Sequence, residues 1–287
     1  MLVRSIMGIA PSAATVDPSS TVRFDGRDVL SLSKRESTKF WGREIAMVFQ
    51  DPLTSLNPIR TIGRQITDPL RHHLGLNRRQ ATERAIEMLE KVRIPSPRAR
   101  MGEYPHQLSG GMRQRVGIAI ALSCEPKLLI ADEPTTALDV TVQHEILDLL
   151  HGLQSDGDMA MILVSHDLAV VSQHTDRIGV MYAGHFLEVG VTRAMLDEPA
   201  HPYTEALLSS IPRPDQPPHT RLTVIEGRPP NLREMPGGCR FAPRCTQKTD
   251  ICLSVDPPLE ELHGSADHRV SCHHPLTPSR IQTSEAS

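Results

Sequence analysis

The sequence predicts an α/β fold, a mainly parallel sheet with helices on both faces, followed by a loop-rich extension. Three observations predict it. Short apolar runs alternate with longer segments of helical periodicity. Apolar runs end abruptly in acids or histidine, as strands do at the carboxyl edge where open sheets bind ligands. Near residue 212 the composition turns proline-rich, with few periodic segments beyond it.

Each element follows from its pattern. Residues 21–32 read as a strand and loop, with Asp25-Gly26 marking a turn. Residues 44–49 form a short apolar strand ending at Gln50-Asp51-Pro52. The spacing of Ala81, Ala85, Met88, Leu89 and Val92 predicts a helix over 78–92. Another starts after Ser109 and runs to about Ser123, and a buried strand follows over 128–130. Val142, Ile146, Leu149, Leu150 and Leu153 give 141–154 one apolar face. Residues 160–164 are a further strand, feeding into Ser165-His166-Asp167. Residues 177–181 and 186–189 flank Ala183-Gly184-His185 as a β-hairpin. Residues 211–218 hold four prolines, so 199–275 is read as the extension and 276–287 as a disordered tail.

Composition narrows the function. Apolar residues at 39% allow a core of ordinary size in 287 residues, and aromatics at 3% leave aliphatic side chains to fill it. A net charge of −3 provides no basic face for nucleic acid. No stretch approaches the roughly 18 apolar residues of a membrane span, and the opening residues carry no secretory pattern. Work at a membrane would therefore require a partner that holds the chain there.

The chemistry-bearing motifs are individually weak. Leu108-Ser109-Gly110-Gly111-Met112-Arg113-Gln114 places a good N-cap and two glycines at a helix start. The free N–H groups and dipole there suit a phosphate, although a merely capped turn reads the same way. The strand ending Ala131-Asp132-Glu133-Pro134 puts Asp132 where it can hold Mg²⁺ and Glu133 where it can orient or deprotonate a water. Asp139 in Ala137-Leu138-Asp139 and His166 after a strand would each be unremarkable alone.

In this order, the five features resemble the ATP-binding cassette (ABC) family over residues 20–190. Gln50 matches the family's Q-loop glutamine, 109–114 its signature motif and 128–133 its Walker B strand. Asp139 matches the D-loop aspartate and His166 the switch histidine. The resemblance implies a P-loop NTPase-like cassette over 1–198, with a helical subdomain at about 53–123. It implies two cassettes sandwiching two ATP molecules head to tail. Ser109, Gly110 and Gly111, with Gln114 in the same motif, would meet the partner's nucleotide. Gln50, Asp132 (through Mg²⁺), Glu133 and His166 would act on this chain's own, with Glu133 and His166 catalytic.

A complete cassette also needs G-x-x-x-x-G-K-[ST], whose backbone cradles phosphates, and no such run occurs here. Met1-Leu2-Val3-Arg4-Ser5-Ile6-Met7-Gly8 resembles the family's helix just after that loop. The expectation is either a start placed too late or a truncated gene. A truncated chain would lack its own ATP site and lend only its signature motif to a partner.

Further runs resemble the oligopeptide/dipeptide branch of the family. They are Phe49-Gln50-Asp51-Pro52-Leu53-Thr54-Ser55-Leu56-Asn57-Pro58, His201-Pro202-Tyr203-Thr204-Glu205-Ala206-Leu207-Leu208, Ile225-Glu226-Gly227, and Gly238-Cys239-Arg240-Phe241-Ala242-Pro243-Arg244-Cys245. That branch implies an importer ATPase on the cytoplasmic face of the membrane. Its partners would be a second cassette, identical or different, two membrane-spanning permeases and an external peptide-binding protein. Nickel importers share much of the pattern. A soluble cassette in repair or translation fits neither the 201–208 run nor the cysteine-rich end.

Cys239, Cys245, Cys252 and Cys272 are spaced C-x5-C-x6-C-x19-C. Four thiols in a segment with little core suit zinc or a [4Fe–4S] cluster, with disulfides or free thiols as the plain readings. The spacing lacks the C-x2-C knuckles usual for zinc, which favours iron–sulfur, and the resemblance points the same way. His273 and His274 are spare potential ligands, and Cys124 is a small buried hydrophobe.

Overall fold

The computed structural model describes residues 2–11, 14–51, 55–136, 138–211, 224–231 and 234–276. They divide into two compact units, Met1–His166 and Asp167–Ser287. Among the described residues, no helix is long and apolar enough to cross a membrane.

The first unit is built on three parallel strands, β3 (Ile45–Val48), β4 (Leu128–Asp132) and β5 (Ala160–Val164), with β4 between the others. Before them come α1 (Leu2–Ile6), the two-residue strands β1 (Arg23–Phe24) and β2 (Arg27–Asp28), and α2 (Lys34–Phe40). The turn between β1 and β2 is the Asp25-Gly26 pair, both in the left-handed region (φ 47° and 76°), as a tight hairpin requires. Between β3 and β4 lie α3 (Ile62–Leu74), α4 (Arg78–Lys91), α5 (Pro97–Arg100) and α6 (Gly110–Leu122). The helix α7 (Val140–Ser155) joins β4 to β5. Asn77 and Gln80 form a reciprocal cap that starts α4.

Alternation along the strands splits their side chains between two cores. Ala46, Val48, Leu129 and Ala131 pack with Ile62, Ile66, Leu70, Leu89, Val116, Ile118, Ile146 and Leu150 from the helices. Ile45, Met47 and Ile130 pack with Val3, Met7, Val29 and Phe40. Both faces of the sheet are thus covered, which is why β3 and β4 read as unbroken apolar runs. On β5, Ile162 is 40% exposed.

The second unit begins with α8 (Leu168–His174) and centres on an antiparallel sheet ordered β6-β7-β9-β8. The strands are β6 (Arg177–Tyr182), β7 (His185–Val191), β8 (Glu260–Leu262) and β9 (Ser265–Val270). Ala183 and Gly184 (φ 46° and 85°) make the turn between β6 and β7. β7 carries α9 (Thr192–Asp197) and α10 (Pro202–Ser209) after it, and α11 (Asp250–Ser254) precedes β8. The 198/199 boundary read from the sequence lies inside this unit, because β7 pairs with β9 through Glu188–Val270 and Val189–Arg269.

Pro52, Leu53 and Thr54 of the 49–58 run, Ala137, the proline-rich stretch 212–218 and the tail from 277 onward lie outside the described residues. Leu276 donates its N–H to the carbonyl of Ala200 at 2.8 Å.

Candidate functional site

The carboxyl ends of β3, β4 and β5 gather one group of the expected residues. Gln50 lies two residues past β3, Asp132 ends β4, Glu133 follows it, and His166 lies two past β5. Parallel register places Asp132 opposite Val164, so the three loops leave the sheet on one edge.

Glu133 is the meeting point. Its Oε2 accepts from Gln50 Nε2 at 2.9 Å and from Thr136 Oγ1 at 2.8 Å, and lies 3.5 Å from His166 Nδ1. Its backbone has φ 46°, a left-handed conformation that costs a non-glycine residue roughly 1–3 kcal/mol. The strain is held by Glu133 N–H donating to the Val164 carbonyl at 2.9 Å, and Thr136 N–H closes the turn onto the Glu133 carbonyl. His166 keeps 74% of its side chain exposed, so it approaches Glu133 from the solvent side.

Asp132 is 9% exposed and takes Arg4 Nε at 3.4 Å. Arg4, Ile9, Phe49, Gln50, Asp51 and Ser55 line an open cleft beside it. A single strand-end carboxylate is what Mg²⁺ needs when substrate phosphates and water complete its octahedron. Asp132 therefore fits that role without a preformed cage. Arg4 and Thr136 were not legible as site residues, since neither stands in a motif that marks it.

The signature residues form a second group. Ser109 caps α6, its Oγ accepting from Met112 N–H at 3.3 Å, while the buried Leu108 anchors the turn. Asp139 caps α7 in the same way, with Val142 N–H to Oδ1 at 3.0 Å. The two helix starts touch. A β-carbon on Gly111 would stand 2.9 Å from Val142 Cγ1, and one on Gly110 would stand 3.6 Å from Leu138 Cδ2. Gly111 is thus glycine because α7 packs closely against it. Ser109 remains exposed, whereas Gln114 is 2% exposed with its Nε2 lacking a protein partner, so its side chain faces the interior.

In the second unit Cys239, Cys245, Cys252 and Cys272 line one small cavity with His201, Phe241, His273 and His274. All four thiols are free. Cys239 N–H donates to the Cys252 carbonyl at 2.9 Å, bringing two of the loops together. Gly238 permits this, because a β-carbon there would lie 2.4 Å from the Cys252 carbonyl oxygen. Burial pushes the Cys239 and Cys245 thiols up and Cys272 to about 11. Among the described residues, no three His, Cys, Asp or Glu side chains are grouped to hold a single metal ion. His273 Nε2 pairs with the Val255 carbonyl and His274 Nε2 with Thr249 Oγ1.

His201 was legible only as part of a family run. It is 1% exposed, and burial lowers its pKa to about 4, so the ring is neutral near pH 7. The fully buried carboxylate of Glu188 holds its backbone, accepting from Ala200 N–H at 2.7 Å and His201 N–H at 3.0 Å.

A sheet whose edge presents a glutamine, two acids and a histidine, beside a capped glycine-rich helix start, defines a nucleotide-hydrolysing cassette. The chain belongs to the ABC transporter family, in the branch that carries the oligopeptide/dipeptide transporter C-terminal region. The ABC transporter family matches residues 1–136, and the oligopeptide/dipeptide transporter C-terminal region matches 187–252. The oligopeptide transport ATP-binding protein OppD of Escherichia coli (strain K12) is 48% identical over 90% of this chain and 75% of its own length. The dipeptide transport ATP-binding protein DppD of Haemophilus influenzae is 45% identical over 95% of this chain and 81% of its own. Among solved structures, the dimeric cassette MJ0796 bound to ADP and Pi matches with TM-score 0.53 at 30% identity, covering 59% of this chain and 72% of that one. CbiO1 from Clostridium perfringens matches with TM-score 0.57 at 28% identity, covering 68% and 72%.

Proposed function

We propose that this chain is the ATP-hydrolysing subunit of an importer for dipeptides or oligopeptides, bound peripherally at the cytoplasmic face of the membrane to two permease subunits. The observation that carries the chemistry is the convergence of Gln50, Thr136 and His166 on one oxygen of Glu133. That arrangement supports Glu133 as the group that orients and deprotonates an attacking water, the task of a general base. Asp132 would hold Mg²⁺, which would supply neutralising charge to the phosphates of the nucleotide. His166, exposed at the edge, would meet the γ-phosphate, and Gln50 would relay nucleotide state to the permease. Ser109, Gly110 and Gly111 present the start of α6 to the nucleotide of a second cassette, with Asp139 alongside. Names of the relatives support peptides as cargo, an external binding protein delivering them.

The hydrolytic residues act on a nucleotide whose phosphates sit in a G-x-x-x-x-G-K-[ST] loop, a run absent from these 287 residues. The test is ATP hydrolysis by this chain alone, by its paired cassette alone, and by the two together. The proposal expects activity in the mixture to collapse with Glu133→Gln. Activity that survives Glu133→Gln and is lost only on Ser109→Arg would show a subunit that lends its signature motif and nothing more.

For the extension, the reading is a [4Fe–4S] cluster on Cys239, Cys245, Cys252 and Cys272. The donor set fits, since four free thiols surround one cavity and buried thiols gain most from a cation that makes them thiolates. What favours a cluster over zinc is the C-x5-C-x6-C-x19-C spacing, which lacks the C-x2-C pairs usual for zinc.

A further inference from the structure

One residue lining the cysteine cavity carries a buried polar atom that the cluster reading alone does not explain. His201 caps α10, its Nδ1 accepting from Tyr203 N–H at 2.9 Å. A neutral imidazole whose Nδ1 accepts carries its proton on Nε2. That Nε2 is buried and has no protein partner, and His201 lines the cavity of the four thiols. A buried donor left unmade costs about 1–3 kcal/mol, so such an atom calls for an acceptor. The ring is not loosely placed. Glu188 clamps the backbone at Ala200 and His201 and also takes His268 Nε2 at 2.7 Å, while Phe241 lies with its ring centroid 6.0 Å away. The other two histidines of the cavity spend their Nε2 atoms on Val255 and Thr249. The residue that carries this orphan donor and the four cysteines line one cavity.

We propose that His201 is a sulfur-directed hydrogen-bond donor, its Nε2–H reaching a thiolate or sulfide of the cluster held by Cys239, Cys245, Cys252 and Cys272. This rests on the iron–sulfur reading above. A hydrogen bond to sulfur withdraws charge from the cluster and stabilises its reduced form, so His201 raises the reduction potential. It is a positioning and tuning residue, not a ligand. The same side chain thus has two tasks, to start α10 with one nitrogen and to face the cluster with the other.

The informative substitution is His201→Asn, since asparagine is a good cap that keeps an acceptor for Tyr203 N–H but is too short to deliver the donor. Full-length protein purified anaerobically is assayed for iron and acid-labile sulfide, and its potential is read by dye titration followed by electron paramagnetic resonance. The expected result is unchanged iron and sulfide in His201→Asn, with a midpoint potential more negative than wild type. An unchanged potential with a full cluster overturns the role of His201 alone. Wild-type protein that holds no iron, or zinc in its place, overturns the cluster reading and this inference together. Should the variant fail to fold, pulsed resonance on reduced wild-type protein labelled with ¹⁵N-histidine decides the matter. Coupling to one histidine nitrogen and an exchangeable proton supports the proposal, and their absence overturns it.

Discussion

Single contacts set the chemistry at the strand edge. Thr136 acts only through Glu133, so Thr136→Val removes one orienting bond worth about 0.5–1.5 kcal/mol. The expected effect on the assembled transporter is a loss of a few-fold to about tenfold in kcat with the KM for ATP unchanged. A steady-state titration checks it, and a raised KM would place Thr136 in nucleotide binding. Gly111 makes a packing prediction. Gly111→Ala drives a β-carbon into Val142, whose branched side chain has one favoured rotamer on a helix. Unfolding by denaturant should show a loss of about 1–3 kcal/mol, partly offset by helix propensity of at most about 1 kcal/mol. Val142→Ala should then make Gly111→Ala close to neutral in a double-mutant cycle.

At the scale of elements, caps and glycines decide where function can sit. Asp139→Ala removes the side-chain acceptor that begins α7 and should cost about 1 kcal/mol, while Asp139→Ser retains most of the stability. Thermal unfolding of the two variants separates the cap from any role of the carboxylate charge. Gly238→Ala is more severe, because the new methyl meets the backbone of Cys252, Leu253 and Ser254, none of which can swing aside. On the proposed cluster reading, its expected outcome is loss of bound iron with the hydrolytic site intact, read by metal analysis beside an ATPase assay. These elements differed in how plainly the sequence declared them. β3, β4 and β5 were legible because apolar runs stop at chemistry-bearing residues, and both hairpin turns because Gly26 and Gly184 adopt positive φ freely. α2 carries a complete Ser33–Glu36 capping box but only Phe40 is buried, so no apolar stripe announced it. β8 and β9 are mostly polar and exposed, and they form as strands by pairing with β7 and each other. The Arg4–Asp132 pair and the place of His201 in the cysteine cavity are tertiary, and no local pattern encodes them, whereas the Thr136–Glu133 bond is a local turn contact that no motif marks.

For the molecule as a whole, a cassette-like first unit and a cysteine-bearing second unit each have their own cores. Motif order made the nucleotide chemistry legible, while the extension declared its cysteines but not the sheet that holds them. On the proposed function, peptide import depends on Glu133. This dependence is tested most directly in proteoliposomes containing both permeases, both cassettes and the external binding protein, with ATP supplied on the cassette side. Uptake of a labelled peptide and phosphate release are measured together for wild type and Glu133→Gln. The substitution should cut both by about 10²–10⁴-fold while nucleotide binding to the complex persists. Uptake and hydrolysis that continue undiminished in Glu133→Gln would contradict it.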